Sequence, residues 1–274
     1  MYCLSPGIYS RYTEEELKNL LNDLDLVIID LDECIFPGIT KVRLYRNICL
    51  SLLGSKQLKG YILLGRLFRG AFVIILMKLV KILCPKATNR QLIYYFAKIT
   101  GTVPDSYLQK AAELIPDKSY PGAKQTLEIL SANSKLGIIS QGLDIVLKEY
   151  VKQFSNSQRS FIDFWNGNIL SDLLDRQNIA KPGSNFIFGS NDKKTITTRR
   201  IEQFRPKKIL VIGHDADDLG MIEAAREYES IVIGFNPSAK IKKICDIIVT
   251  AKDWTGLRQF FFSKLIIKRG DNRI

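Results

Sequence analysis

Cysteine is scarce and unpaired in this chain. The five residues (Cys3, Cys34, Cys49, Cys84 and Cys245) are odd in number, scattered, and contain no CxxC pair. A disulfide scaffold and a thiolate zinc site are thereby excluded, and the pattern suits a reducing compartment. No long uninterrupted apolar run is present. The richest stretch, AFVIILMKLVKILC (71–84), is broken by Lys78 and Lys81. It falls short of the ~18 uncharged apolar residues of a spanning helix and reads as a buried or interfacial helix. The amino-terminal MYCLSPGIYSRYTEEELKNL lacks the apolar centre of a secretory signal, so the expected location is cytoplasmic. Repeats and low-complexity tracts are also missing.

Acidic residues are absent from one long segment. After Glu33 the next is Asp105, while residues 34–104 carry Lys41, Arg43, Arg46, Lys56, Lys59, Arg66, Arg69, Lys78, Lys81, Lys86, Arg90 and Lys98. This segment accounts for the whole net charge of +12, and the rest of the 274 residues is neutral. Such a shift marks a separate structural unit and predicts an anionic partner. A nucleic-acid partner is disfavoured, because the segment holds no recognised binding motif and only Tyr94 and Tyr95 lie close together among its aromatics. Two readings stay open. Either the basic residues are solvated on the outer faces of a helical unit, or residues 41–98 make peripheral contact with an anionic membrane at the inner face.

Apolar residues make up 46% and charged residues 25%, an ordinary globular balance. Thr13-Glu-Glu-Glu16 reads as a capping box that starts a helix running to about Asn22. LVIID (26–30) is a strand buried on both faces. Residues 41–115 pattern as helices with breaks near Gly54, Pro85 and Pro104. From Ser119 strands and helices alternate. Tyr120-Pro121-Gly122 opens a helix, LGIIS (136–140) is a strand, and LDIVLKEYVKQF is a helix. FIDFWNGNIL (161–170) supplies a strand or hairpin, and TITTRRIEQF (195–204) fits a helix. KILVIG (208–213), SIVIGF (230–235) and DIIVT (246–250) are strands, with a helix over 218–228. The expected fold is α/β, a Rossmann-like parallel sheet with an inserted all-helical domain. The α/β core comprises 1–36 and 118–274, and the basic helical unit 37–117.

Ligands of open parallel sheets bind at the carboxyl ends of the strands. Polar residues stand there in this sequence: Asp30-Leu31-Asp32, Ser140-Gln141-Gly142, and Gly213-His214-Asp215-Ala216-Asp217-Asp218. Lys193 and Lys194 precede the helix that leads to the third of these strands. Each fragment is weakly informative alone, and the ordered set is far more specific.

With these residues the sequence resembles the haloacid dehalogenase (HAD) superfamily of phosphohydrolases, in particular its phosphoserine-phosphatase-like members. The resemblance covers 25–36 and 119–250. It rests on VIIDLDECIFPG, YPGAKQTLEIL, LGIISQG, the NDKK lysines, VIGHDADDLGMI, and the GFN that precedes DIIVT. The helical insert lies where this superfamily places a cap of its first type. The resemblance implies a Mg2+-dependent phosphomonoester hydrolase acting on a small phosphorylated substrate. Asp30 is the implied nucleophile, forming an aspartyl-phosphate. Asp32 protonates the leaving oxygen and later deprotonates water. Ser140, with Gln141 and Gly142, binds the phosphoryl group, and Lys193 or Lys194 balances its charge. Implied Mg2+ ligands are Asp30, Asp32 through its carbonyl, Asp215 and Asp218. Cys34 stands at a position the family fills with Thr or Val and reads as a small buried filler.

The acidic loop departs from the family pattern of Gly-Asp followed by a second Asp four residues on. Aligned through Gly213, His214 replaces the first acid and Asp218 is the second. Aligned through Asp215, the loop is one residue shorter. This departure supports the competing expectation of a weakly active or inactive HAD-fold protein whose basic apolar insert holds an anionic surface. A receiver-type signalling domain is about half this length and has no such insert.

Overall fold

The computed structural model describes residues 1–54, 60–65, 67–69, 89–174 and 186–264. Lys56, Lys59, Arg66, Lys78, Lys81 and Lys86, the run 71–84 and the expected break at Pro85 lie outside the described residues.

The chain opens with two short strands that its pattern does not announce, β1 (Tyr2–Ser5) and β2 (Ile8–Ser10). Between them Gly7 has a φ of 81°, and a Cβ there would stand 2.5 Å from the Thr250 carbonyl oxygen, so only glycine fits this turn. The helix α1 (Glu14–Asn22) starts at the predicted capping box: Thr13 Oγ1 accepts from the Glu16 amide, and the Glu16 carboxylate accepts from the Thr13 amide.

β3 (Leu26–Ile29) follows, buried throughout. Leu26 and Ile28 enter the apolar cluster on one face of the sheet, while Val27 and Ile29 enter the cluster on the other. Each such side chain contributes roughly 1.5–3 kcal/mol by leaving water, which is why a continuous apolar run makes a central strand. The insert follows as α2 (Thr40–Gly54), further helical residues at 60–65 and 67–69, α3 (Asn89–Thr100) and α4 (Asp105–Glu113). Leu44, Ile48, Leu52, Ile93, Ala97 and Leu108 of these helices belong to the same apolar cluster as Val27 and Ile29. These helices therefore share one continuous core with that face of the sheet.

Beyond it come α5 (Ala123–Ser131), β4 (Lys135–Leu143), α6 (Asp144–Gln153), β5 (Phe164–Asn168) and the short α7 (Leu170–Leu174). β4 outruns the predicted 136–140, and the region 161–170 yields one parallel strand, not a hairpin. The next helix, α8 (Ser190–Phe204), begins five residues before the predicted 195. Lys193 and Lys194 thus stand in its first turns and do not precede it. β6 (Lys208–Gly213), a single 3-10 turn (Ala216–Asp218), α9 (Leu219–Arg226), β7 (Glu229–Phe235), α10 (Ala239–Lys242), β8 (Ile247–Val249) and α11 (Thr255–Lys264) complete the described chain.

The strands form one eight-stranded sheet in the order β1-β2-β8-β7-β6-β3-β4-β5. It is parallel from β8 to β5, and β1 and β2 add antiparallel at the edge. The chain runs outward from β3 through β4 to β5, then crosses to the other side of β3 and runs outward from β6 to β8. The reversal at β3 and β6 leaves a crevice at their carboxyl ends, the position that binds ligands in open α/β sheets.

Candidate active site at the carboxyl ends of three strands

Asp30 follows directly on β3, and its amide still donates to the Ile212 carbonyl of β6 (3.1 Å). Its carboxylate is therefore held at the sheet's edge, where it is buried. The chain then folds back at once. Ile35 and Phe36 amides both donate to the Leu31 carbonyl, and Glu33 takes a φ of 59° with its amide directed to the carbonyls of Phe36 and Gly38. This is the bend that lets two carboxylates one residue apart reach one cavity. Asp32 Oδ1 accepts from the Thr40 amide at the start of α2 (2.8 Å), so the same residue lines the cavity and anchors the insert.

On β4, Ser140 is buried and its Oγ accepts from the Gly142 amide (3.1 Å). The Gln141 side chain donates to Asp217 Oδ2 (2.8 Å) and ties β4 to the loop after β6. In that loop Asp218 Oδ2 accepts from the amides of His214 (2.7 Å) and Asp215 (3.1 Å), which folds the carboxylate beneath the loop. Asp215 caps the 3-10 turn and lines the cavity.

Lys193 reaches the cluster from α8. Its side chain is 2% exposed, and its Nζ donates to Asp30 Oδ1 (2.8 Å) and Asp218 Oδ1 (2.6 Å). Lys194, one residue on and about 100° around the helix, points to the surface, where it pairs with Glu223 (3.2 Å) at 42% and 57% exposure. Of the two lysines, only Lys193 is brought to the carboxylates. Helix α8 is placed by its approach to α9: a Cβ on Gly220 would lie 1.9 Å from the Ser190 carbonyl oxygen and 2.8 Å from the Lys194 amide nitrogen. The close contact demands glycine and sets the height of Lys193.

These charges perturb one another. Burial raises the Asp30 carboxyl; Lys193 opposes this and the negative charges of Asp218 and Asp32 add to it, leaving a pKa of about 8. Burial also works to raise Asp218, but Lys193 and the two loop amides outweigh it and hold the group below the usual carboxylate range. Lys193 is kept charged: burial disfavours its cation, but Asp218 and Asp30 prevail. Cys34 is buried next to them, and burial, with Asp30 second, pushes its thiol well above the usual range. That makes it a protonated filler.

A cavity of about 500 Å³ opens over this cluster. Its floor carries Asp30, Asp32, Glu33, Asp215, Asp217 and Asp218 against the cations Lys193 and Lys41, with Ser140, Gln141 and His214 beside them. In the sequence Lys41 stands out only as part of the basic segment. Its Nζ donates to the Gln141 carbonyl (3.3 Å), and burial lowers its pKa although Asp32 and Asp30 oppose this. The available signal was its position, the first basic residue after the DLDECIFPG turn. Ile39, Val42, Leu92, Ile93 and Phe96 of the insert also line the cavity.

The excess of buried carboxylate over cation suits a divalent metal ion. Asp30, Cys34, His214 and Asp218 each offer one donor atom, all within 4.8 Å of one another, and His214 Nδ1 is buried without a hydrogen-bond partner. The histidine thus belongs to the carboxylate cluster.

The sheet order, the helices inserted after β3 and the polar cluster at the ends of β3, β4 and β6 make the Rossmann-like α/β fold expected from the sequence. No family model and no curated protein sequence matches the chain. Solved structures do. A phosphoserine phosphatase described as a phospho-aspartyl intermediate analogue aligns over 87% of this chain and 99% of its own, at 15% identity and a TM-score of 0.57. Cytosolic 5'-nucleotidase IIIB, bound to cytidine, aligns over 95% and 93%, at 13% identity and a TM-score of 0.62. A probable phosphoserine phosphatase from Vibrio cholerae aligns over 89% of this chain and 66% of its own, at 15% identity and a TM-score of 0.60.

Proposed function

We propose that the protein is a Mg2+-dependent phosphomonoester hydrolase that works through an aspartyl-phosphate on Asp30. The observation that carries this reading is the convergence of Asp30, Asp32, Ser140, Lys193 and Asp218 in one cavity at the ends of β3, β4 and β6, on a fold shared with phosphatases. Asp30 attacks phosphorus as the bond to the leaving oxygen breaks, and Asp32 gives that oxygen a proton. The products are an alcohol and the aspartyl-phosphate. Asp32, now ionised, takes a proton from water as the water attacks phosphorus, which returns Asp30 and releases phosphate. Ser140, its Oγ positioned by the Gly142 amide, donates to a phosphoryl oxygen, and Lys193 holds Asp30 and offsets the transferring charge. A phosphate dianion would otherwise face a floor rich in carboxylates. Asp30, Asp218, Asp215 and the Asp32 carbonyl would hold Mg2+, which would supply the compensating positive charge and polarise the phosphoryl group. The insert 37–117 acts as a cap over the site.

The test is hydrolysis of para-nitrophenyl phosphate with and without Mg2+. The expected result is metal-dependent turnover that falls by at least ~10³-fold in Asp30→Asn. Wild-type turnover in that variant would remove Asp30 from the mechanism.

A second reading concerns the outside of the cap. Leu50, Leu53, Tyr61, Ile62 and Phe68 are exposed there, and Arg46 and Arg69 flank them in sequence. They support peripheral contact with an anionic membrane on the cytoplasmic side. No helix among the described residues is long and apolar enough to cross a membrane. Co-sedimentation with liposomes that requires anionic lipid, weakens with salt and is lost in Phe68→Glu is the expected result. Equal binding to neutral vesicles would remove the electrostatic argument.

A further inference from the structure

The cavity has two chemically distinct halves. Among the described residues, all of its carboxylates, together with Ser140, Gln141 and His214, come from the sheet's carboxyl edge and the turns that leave it, and Lys193 comes from α8. The insert contributes Ile39 and Val42 at the start of α2, and Leu92, Ile93 and Phe96 from one side of α3. The spacing of the last three, i, i+1 and i+4, is that of a single helix face. Among the described residues, Lys41 is the one polar residue that the insert adds to the lining, and its Nζ is turned to the Gln141 carbonyl.

The apolar half is not sealed. Val42 is 57% exposed and Ile39 44%, and Leu92 and Phe96 are half-buried. Apolar side chains left facing water in a concave site lose the stabilisation that burial would give them, and a ligand that covers them recovers it. A leaving group bearing amines, carboxylates or hydroxyls would instead bring polar atoms against five side chains that can neither donate nor accept. Burying such atoms without partners is unfavourable. The volume of about 500 Å³ falls in the usual range of ~300–1,000 Å³ for small-molecule sites, which leaves room for more than the phosphoryl group.

We propose that the substrate is a phosphomonoester of an aliphatic alcohol, with its phosphate on the carboxylate floor and its chain against Val42, Leu92 and Phe96. The proposal rests on the phosphatase reading and names the substrate class for that same site. The alcohol leaves with the proton from Asp32, and its chain stays against the apolar half until release.

The test is a series of n-alkyl phosphates from ethyl to octyl, assayed with Mg2+ below micelle-forming concentrations, alongside phosphoserine and glycerol phosphate. The expected kcat/KM rises about 4-fold per methylene, the factor that burial of one CH2 gives, until the apolar half is filled. The octyl ester should exceed both polar esters, and Phe96→Ser and Val42→Ser should each reduce the slope. A flat or falling series, or faster hydrolysis of phosphoserine than of the octyl ester, would overturn the aliphatic assignment and leave the phosphatase reading intact. Hydrolysis of none of the esters would overturn the phosphatase reading. The apolar compartment is then read from calorimetric binding of n-alkylphosphonates with Mg2+: affinity that rises with chain length supports it, and affinity independent of length overturns it.

Discussion

Replacing Lys193 by methionine removes a buried cation of similar length and leaves two buried carboxylates facing each other. In the wild type its Nζ lies 2.8 Å from Asp30 and 2.6 Å from Asp218, with all three side chains screened from solvent. Breaking a buried ion pair at one partner costs about 3–5 kcal/mol. At about 2–4 °C per kcal/mol for a chain near this size, the melting temperature should fall by roughly 6–20 °C. The loss depends on pH in a definite direction. Wild-type Asp218 is ionised when folded, because Lys193 outweighs its burial. Without the lysine, burial prevails and the folded variant retains a proton there, which the unfolded chain releases above about pH 4. The folded variant binds more protons than its unfolded chain, so its deficit against wild type grows as pH rises from about 4 toward neutrality. Lys194→Met is the internal control. Its exposed pair with Glu223 predicts a change within about 0.5 kcal/mol. Urea unfolding of the three proteins at about pH 5 and about pH 8, followed by tryptophan fluorescence, measures this. Equal stability of Lys193→Met and wild type at the higher pH, or a deficit that shrinks as pH rises, would refute the reasoning.

Asp30→Asn should trade activity for stability. The folded-state pKa of Asp30, about 8, lies above its unfolded value, so ionisation destabilises the folded protein progressively from about pH 4 up to that pKa. In chelator, the asparagine variant should therefore be at least as stable as wild type above about pH 8, with the difference closing as pH falls; lower stability at the higher pH would contradict the account. Gly220→Ala places a Cβ against the Ser190 carbonyl and should cost about 1–3 kcal/mol or more by overpacking, with a loss of turnover as α8 carries Lys193 away; unchanged stability would mean the two helices separate freely. In native protein, Cys34 and Cys245 should resist a thiol reagent that modifies exposed Cys3, because burial holds both thiols above the usual range. Peptide mass spectrometry reads the order of labelling, and early modification of Cys34 would refute its burial.

Much of the fold is legible because it depends on local signals. The Thr13 capping box, the continuous run at 26–29 and the strands around Gly213 each announce themselves within a few residues. The turn after Asp30 is foreshadowed by Pro37-Gly38, although the left-handed Glu33 is not. The short strands β1 and β2 are hidden because β2 is held by long-range pairing with β8 and β1 in turn by β2, and Tyr2–Ser5 carries no clean alternation. The sequence pattern starts α8 five residues late because Ser190, Asn191 and Asp192 look like loop. That boundary fixes the helical phase that sends Lys193 inward and Lys194 to Glu223, so the choice between two adjacent lysines needed the structure. Lys41 and the apolar half of the cavity were hidden for another reason. Their role arises only when α2 and α3 lie across the ends of strands far away in sequence, and no local pattern encodes that meeting. The acidic loop stayed open in the sequence. The structure folds Asp218 under the amides of His214 and Asp215 and brings His214 into the donor cluster with Asp30.

The central claim is that Asp30 becomes covalently phosphorylated. Acid quenching during turnover of an alkyl phosphate, followed by borohydride reduction, converts an aspartyl-phosphate into homoserine, which peptide mass spectrometry locates. The account predicts homoserine at position 30, dependent on substrate and Mg2+ and absent from Asp30→Asn. Homoserine at position 32, or steady hydrolysis with no homoserine at any aspartate, would contradict it.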